Sequence, residues 1–201
     1  HRLRLDDGIL IKNNHLRLAG GIRAAVERAR RGRPAGMPVE VEVASIAGLE
    51  EAVAAGAGEA KANGLANVTF VAQDLSDFDK NAEPEAFDLI TTFDAIHDQG
   101  KPMNVLKGIR RALKSDGVYL MQEIGGSGRL ETDIAHPIGT FLYTISCMHC
   151  MTVSLAQGGE GLGAMWGEVK TREYLEAAGF RSIEKHVLPH DIQNNWYVIR
   201  K

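Results

Sequence analysis

Cysteine is scarce in this 201-residue chain, which carries only Cys147 and Cys150. Two are too few to staple a small scaffold, so a disulfide-framed secreted fold is excluded and both are expected as reduced thiols. An excess of one charge is also missing. The formal net charge of -3 at pH 7 supplies no overall field to attract nucleic acid or an anionic membrane. No apolar run approaches the roughly 20 residues of a membrane span, and no charged stretch followed by an apolar one opens the chain. The expectation is a soluble, cytoplasmic protein. Internal repeats and low-complexity tracts are absent too, which excludes solenoids and linkers. What is present is a 44% hydrophobic composition, enough to bury one sizeable core, so a single domain over 1–201 is expected. The chain opens on His1 rather than Met, which predicts a piece of a longer protein.

From the middle onward, β-rich runs alternate with helical patterns, the mark of an α/β sheet with helices on its faces. Residues 68–72, 87–93 and 117–123 read as strands. Between the last two, 101–114 has Pro102 in its first turn and Val105, Leu106, Ile109 and Leu113 at helical spacing. Ser115, Asp116 and Gly117 supply a turn, giving strand, helix, parallel strand. Residues 49–61 form a further helix, stopped by Asn63 and Gly64. The segment 125–167 breaks the alternation, with glycines at both ends and an apolar stretch at 141–155, and reads as an inserted helical lid. A short helix over 171–178, closed by Gly179, leads to strands at 183–188 and 196–200 joined by a polar turn, an antiparallel edge. Nearer the start, 10–11 and 39–43 read as short strands and 21–31 as a helix.

The run Glu85-Ala86-Phe87-Asp88-Leu89-Ile90-Thr91-Thr92-Phe93-Asp94-Ala95-Ile96-His97-Asp98 precedes Leu113-Lys114-Ser115-Asp116-Gly117 and a hydrophobic strand. In this order it resembles the class I S-adenosylmethionine-dependent methyltransferases, and most closely the small-molecule methyltransferases with a winged-helix domain ahead of the catalytic one. No such domain is visible in these residues. The likeness runs from about Gly64 to the C-terminus and takes in Met148-His149-Cys150-Met151-Thr152 and the Gly158-to-Gly163 loop. It implies a Rossmann-like, mostly parallel sheet with helices on both faces, an antiparallel C-terminal edge and a helical lid insertion. It further implies S-adenosylmethionine as methyl donor and a small-molecule acceptor. Neither nucleic acid nor membrane is an expected partner, and a homodimer is compatible with the reading.

One part of the family pattern is missing. Such proteins open with a strand and a glycine-rich loop, whose backbone N–H groups approach the cofactor closely. The matching place here is Leu16-Arg17-Leu18-Ala19-Gly20-Gly21-Ile22, with Gly20 and Gly21 but without GxGxG spacing. The acidic residue that binds the ribose falls at Glu42, or at Glu40 if the alignment slips by two. Either cofactor affinity is lost with the loop, or this stretch does not represent the natural methyltransferase.

The remaining candidates divide by role. Asp74 would accept from the adenine amino group or merely cap a loop, and Leu75 would line the adenine pocket or the core. Phe93 and Asp94 end a strand where α/β sheets bind ligands, although Asp94 also suits a helix cap. His97, beside Asp98, is the first choice of base, with His149 second; a packed, hydrogen-bonded histidine is the alternative. Tyr143 and Trp166, with Glu168 and His149, would line an acceptor pocket in the lid, or simply pack. Cys147-Met148-His149-Cys150 lacks the second paired motif of a zinc site, so no metal is expected. The basic run Arg28 to Arg33 and the acidic Glu50, Glu51 and Glu59 read as solvated helix faces. Three functions remain open: methyl transfer, a non-catalytic methyltransferase fold with weakened or lost cofactor binding, and a nucleotide-dependent oxidoreductase. The last lacks both a dinucleotide fingerprint and a Tyr-x-x-x-Lys pair.

Overall fold

The computed structural model describes residues 9–11, 13–32, 39–41 and 46–201. The chain forms two compact units, His1–Gln73 and Asp74–Lys201. In unit 1, strand β1 (Ile9–Ile11) is followed by helices α1 (Asn13–Ala19) and α2 (Ile22–Gly32), strand β2 (Val39–Val41) and helix α3 (Ile46–Ala62). β1 and β2 pair in parallel, Ile9 opposite Val39 and Ile11 opposite Val41. α2 buries Ile22, Ala25 and Val26, one stripe at helical spacing, and these join Ile11 in a small core.

Three expectations change in this unit. Residues 68–72 form no strand: Val68, Phe70 and Val71 are 44%, 42% and 70% exposed, and β-propensity makes no strand without a neighbour to pair with. α1 was not foreseen, and it occupies the place of the expected glycine loop. The strand at 39–43 is observed as Val39–Val41, and Glu42 lies outside the described residues. The helix stop at Asn63-Gly64 is as expected: Gly64 has φ +71°, Leu65 N donates to Ala60 O and Gly64 N to Lys61 O, a Schellman cap.

Unit 2 begins with a short helix α4 (Phe78–Asn81), then strand β3 (Phe87–Phe93), helix α5 (Pro102–Ala112) and strand β4 (Leu113–Ile124). The insertion follows with α6 (Leu130–Asp133), α7 (Gly139–Ile145), a π-helical turn (Ser146–Cys150) and α8 (Met151–Ala156). Helix α9 (Gly167–Ala177) and strands β5 (Ser182–His186) and β6 (Asn194–Arg200) complete it. The sheet order is β3-β4-β6-β5. β3 and β4 are parallel, while β6 runs antiparallel to both β4 and β5, the antiparallel C-terminal edge expected. Among the described residues no helix is long and apolar enough to cross a membrane.

Pro102 stands in the first turn of α5, where its missing N–H is no loss. Val105, Leu106, Ile109 and Ala112 face the core. Gly108 passes so close to Phe78 that a Cβ would overlap the ring. Ser115, Asp116 and Gly117 make no separate turn. Phe87 pairs with Leu113 but Leu89 with Val118, so the extra residues are taken up as an irregularity within β4. The core gathers Leu106, Leu113, Tyr119, Met121, Leu175, Tyr197 and Ile199, each at most 1% exposed. Full burial of such side chains contributes about 1.5–3 kcal/mol apiece. α9 starts at Gly167, earlier than expected, and ends with Gly179 at φ +98°, whose N–H donates to Glu176 O as Phe180 N donates to Leu175 O.

Candidate functional site

The carboxyl ends of β3 and β4 bring together four buried polar residues, Asp94, His97, Gln122 and Glu123. β3 ends at Phe93, and Asp94 turns the chain with φ +45°. Its N–H donates to Gln122 O and its Oδ2 accepts from Gln122 Nε2 at 3.0 Å. No helix follows directly, so Asp94 is a turn residue and not a helix cap. The loop then buries Ile96 and His97, 1% and 2% exposed. Glu123, on the neighbouring strand and only 1% exposed, receives the loop. Its Oε1 accepts from Ile96 N at 3.1 Å, and its Oε2 accepts from His97 Nδ1 at 2.5 Å and from Trp166 Nε1 at 3.2 Å. Three donors on one carboxylate offset the several kcal/mol that burying its charge costs.

This arrangement fixes the His97 ring with Nδ1 on Glu123 and Nε2 toward Asp98 Oδ1, 3.4 Å away. Burial opposes the ring's charge, but hydrogen bonding to Cys150 and Glu123, together with the negative fields of Glu123 and Asp98, outweighs it and raises the His97 pKa to about 11. The ring therefore holds its proton at neutral pH, the opposite of what a free general base needs. A carboxylate does orient His97, but it is Glu123 rather than the adjacent Asp98 alone.

The acceptor set expected in the lid is dispersed. Trp166 is 5% exposed, edge-on to Tyr174 at 5.5 Å and bonded to Glu123, so it packs and supports instead of lining an open pocket. Tyr143 Oη donates to Asp133 Oδ2 at 3.0 Å and borders a groove of about 480 Å³ on the insertion, with Leu130, Ile134, Thr140 and Met148. His149 is exposed while Cys150 is buried. In the π-helical turn Cys147 is exposed and Cys150 buried, so the two lie on different sides of it. Both are free thiols.

Asp74 is exposed and accepts from Ser76 N at 2.8 Å, the loop-capping alternative, and that bond is the main reason its pKa is lowered. Leu75 packs against the main core. Phe93 is 49% exposed with its ring edge-on to Trp196 at 6.0 Å. In unit 1, the N–H groups of Gly20 and Gly21 both donate to Leu16 O at 3.0 Å. They close α1 and do not follow a strand, so the expected cradle for the methionine end of a cofactor does not fit here. Sequence reasoning missed Glu123, and it weighed Cys150 only as part of a zinc motif that it set aside. The signal for Glu123 was an acidic residue closing the run Val118-Tyr119-Leu120-Met121-Gln122-Glu123, at the strand end where α/β sheets place their sites.

A methyltransferase-domain family model matches residues 28–171. Three solved structures share the fold. An O-methyltransferase family protein of Burkholderia thailandensis has TM-score 0.56 at 14% identity, over 96% of this chain and 51% of its own. The trans-methyltransferase CalH in complex with SAH has 0.51 at 18%, over 97% and 52%. The mitomycin 7-O-methyltransferase has 0.51 at 16%, over 97% and 49%. The chain thus spans about half the length of these proteins. A second likeness is short and of another kind. A carboxylating nicotinate-nucleotide pyrophosphorylase of Synechocystis is 41% identical over 54 residues, 27% of this chain and 18% of the relative. Its Bacillus subtilis counterpart is 44% identical over 57 residues, 28% and 20%. With well over half its length matched, and with the strand, crossover helix and strand that the motif at 85–98 implied, the chain belongs to the class I S-adenosylmethionine-dependent methyltransferase family.

Proposed function

We propose that the protein transfers a methyl group from S-adenosylmethionine to a small organic acceptor, with the chemistry at the carboxyl ends of β3 and β4. The observation that carries this reading is the buried cluster of Asp94, His97, Gln122 and Glu123 at that end of the sheet, where open α/β sheets bind their ligands. Displacement at a sulfonium needs alignment above all. A ring locked by Glu123 supplies a fixed edge to the site. Phe93 and Asp94 are the cofactor-facing residues of this unit, and Tyr143 in the groove of the insertion is the remaining acceptor-side candidate. Free thiols and the modest net charge support a cytoplasmic location.

A second reading has its own observation. The N–H groups of Gly20 and Gly21 are already used by Leu16 O, and a 54-residue likeness to a different enzyme lies in a chain whose first unit lacks the methyltransferase signature. On this reading the fold is kept while cofactor affinity is weakened or lost. Calorimetry with S-adenosylmethionine and with its demethylated product, alongside transfer of a labelled methyl group to a panel of small acceptors, separates the two. Micromolar binding with transfer supports the first reading. No heat at millimolar ligand overturns it in favour of the second.

A further inference from the structure

We propose that His97, Asp98 and Cys150 form a zinc site that ties the helical insertion to the loop after β3. A ring nitrogen of His97, an Asp98 carboxylate oxygen and Cys150 Sγ all lie within 4.8 Å of one another. Nε2 and Asp98 Oδ1 are 3.4 Å apart, and bonds of about 2.0–2.3 Å to a tetrahedral zinc put its ligands roughly 3.3–3.7 Å apart. The donor set suits zinc and not a hard cation, because an imidazole and a thiolate outnumber the single carboxylate.

Three features prepare the ligands. Glu123 accepts the hydrogen bond of Nδ1–H, which leaves Nε2 as the nitrogen able to bind and fixes its direction, as a carboxylate behind a metal-bound histidine does. Trp166 Nε1 and Ile96 N hold that carboxylate in turn. Asp98 Oδ1 is buried without a hydrogen-bond partner, a cost that a cation would remove. Cys150 is brought in, at 5% exposure, by the π-helical turn, a distortion that often marks functional positions.

On binding, a Zn–N, a Zn–O and a Zn–S bond form as water leaves the hydrated ion. The protons of the Cys150 thiol and of Nε2 pass to solvent. Three protein ligands leave the fourth position to water, the arrangement of an open rather than a purely structural site. Asp98 is only partly buried, which gives the ion a way in. No paired motif announces such a site because its ligands are 97, 98 and 150, drawn from a loop and a distant helix. Cys147 and His149 stay outside it, both exposed.

The full chain, stripped with a chelator, is titrated with zinc chloride by calorimetry, and cobalt(II) is added to a second sample to read the sulfur-to-metal absorption band. One zinc per chain and a thiolate band are expected, with a rise in melting temperature. Cys150→Ser should abolish the band and weaken zinc binding by about 100-fold or more. Asp98→Asn, which removes the charge of a partly exposed side chain and should still fold, should weaken zinc binding, and Glu123→Gln, behind the histidine, should do so about 10–100-fold. Cys147→Ser should bind as the parent does. Less than one-tenth equivalent of bound zinc, equal losses in the two cysteine variants, or unchanged binding by folded Asp98→Asn would overturn the assignment.

Discussion

β1·β2 in unit 1 and β3·β4 in unit 2 are both parallel pairs flanked by helices, yet they are supported differently. The first spans three residues per strand and rests, among the described residues, on four buried apolar side chains. The second is extended by β6 and β5 over a cluster of thirteen. The ends of the strands differ more. β1 is separated from α1 by Lys12 alone, and the nearest glycine N–H groups are consumed in closing that helix. β3 ends in a turn whose polar groups converge on the neighbouring strand. A parallel pair is therefore not enough to make a ligand site; what decides is whether the turn after the strand leaves its polar groups directed at a common point.

The comparison predicts that one buried carboxylate matters more in unit 2 than any polar contact in unit 1. Glu123→Ala leaves His97, Trp166 Nε1 and Ile96 N without their acceptor, and removing one side of a buried pair costs about 3–5 kcal/mol. Urea unfolding should show that loss. Trp166→Ala, which leaves a cavity in the same core, should cost a similar amount, about 3–5 kcal/mol. Exposed His149→Ala should fall within about 0.5 kcal/mol of the parent. If His149→Ala proves as damaging as Trp166→Ala, the insertion packs differently and its outward face is wrongly identified.

These contrasts also show what the sequence made legible. The strands at 87–93 and 196–200 and the helix around Val105 and Ile109 were readable because period and turn chemistry agree there. The antiparallel edge followed from the polar turn before Trp196. The strand at 68–72 failed because Val68 and Phe70 carry propensity but find no ladder. His97 was visible as a histidine beside an acid, but its true partner comes from 26 positions away, and local spacing has no way to show that. Cys150 sits in a π-helical turn that no sequence pattern announces, which puts it on the buried side and leaves His149 outside. Glu42 falls where nothing is described.

An acid titration sharpens the picture at the insertion. Burial opposes ionisation of Asp133, but its bonds from Ser127 N and Tyr143 Oη outweigh that and lower its pKa. A lowered folded value means the stability is fully present above the unfolded aspartate value of about 3.9 and is lost as pH falls through it toward the folded one. Asp133→Asn should cost about 1–3 kcal/mol at pH 7. The gap between the parent and the variant should then shrink progressively as pH falls below the unfolded aspartate value. A constant difference from pH 7 to pH 2 would show that the charge of Asp133 is not what holds the loop at Ser127.

A further substitution in unit 1 asks whether its glycines still serve a ligand. Gly20 has φ +86°, a conformation that costs an ordinary L-residue about 1–2 kcal/mol. A Cβ there meets no atom within 4 Å, so Gly20→Ala tests backbone conformation alone, free of any clash. Because its N–H already donates to Leu16 O, the substitution should lower the stability of unit 1 by about 1 kcal/mol. The affinity for S-adenosylmethionine, read by the same calorimetry, should stay within twofold of the parent. In a glycine cradle the opposite is expected, since the added methyl group would stand where the ligand must approach the backbone. A tenfold loss of cofactor affinity in Gly20→Ala, with unit 2 unchanged in its unfolding, would restore Gly20 and Gly21 to the binding site. It would also remove the contrast between the two strand ends.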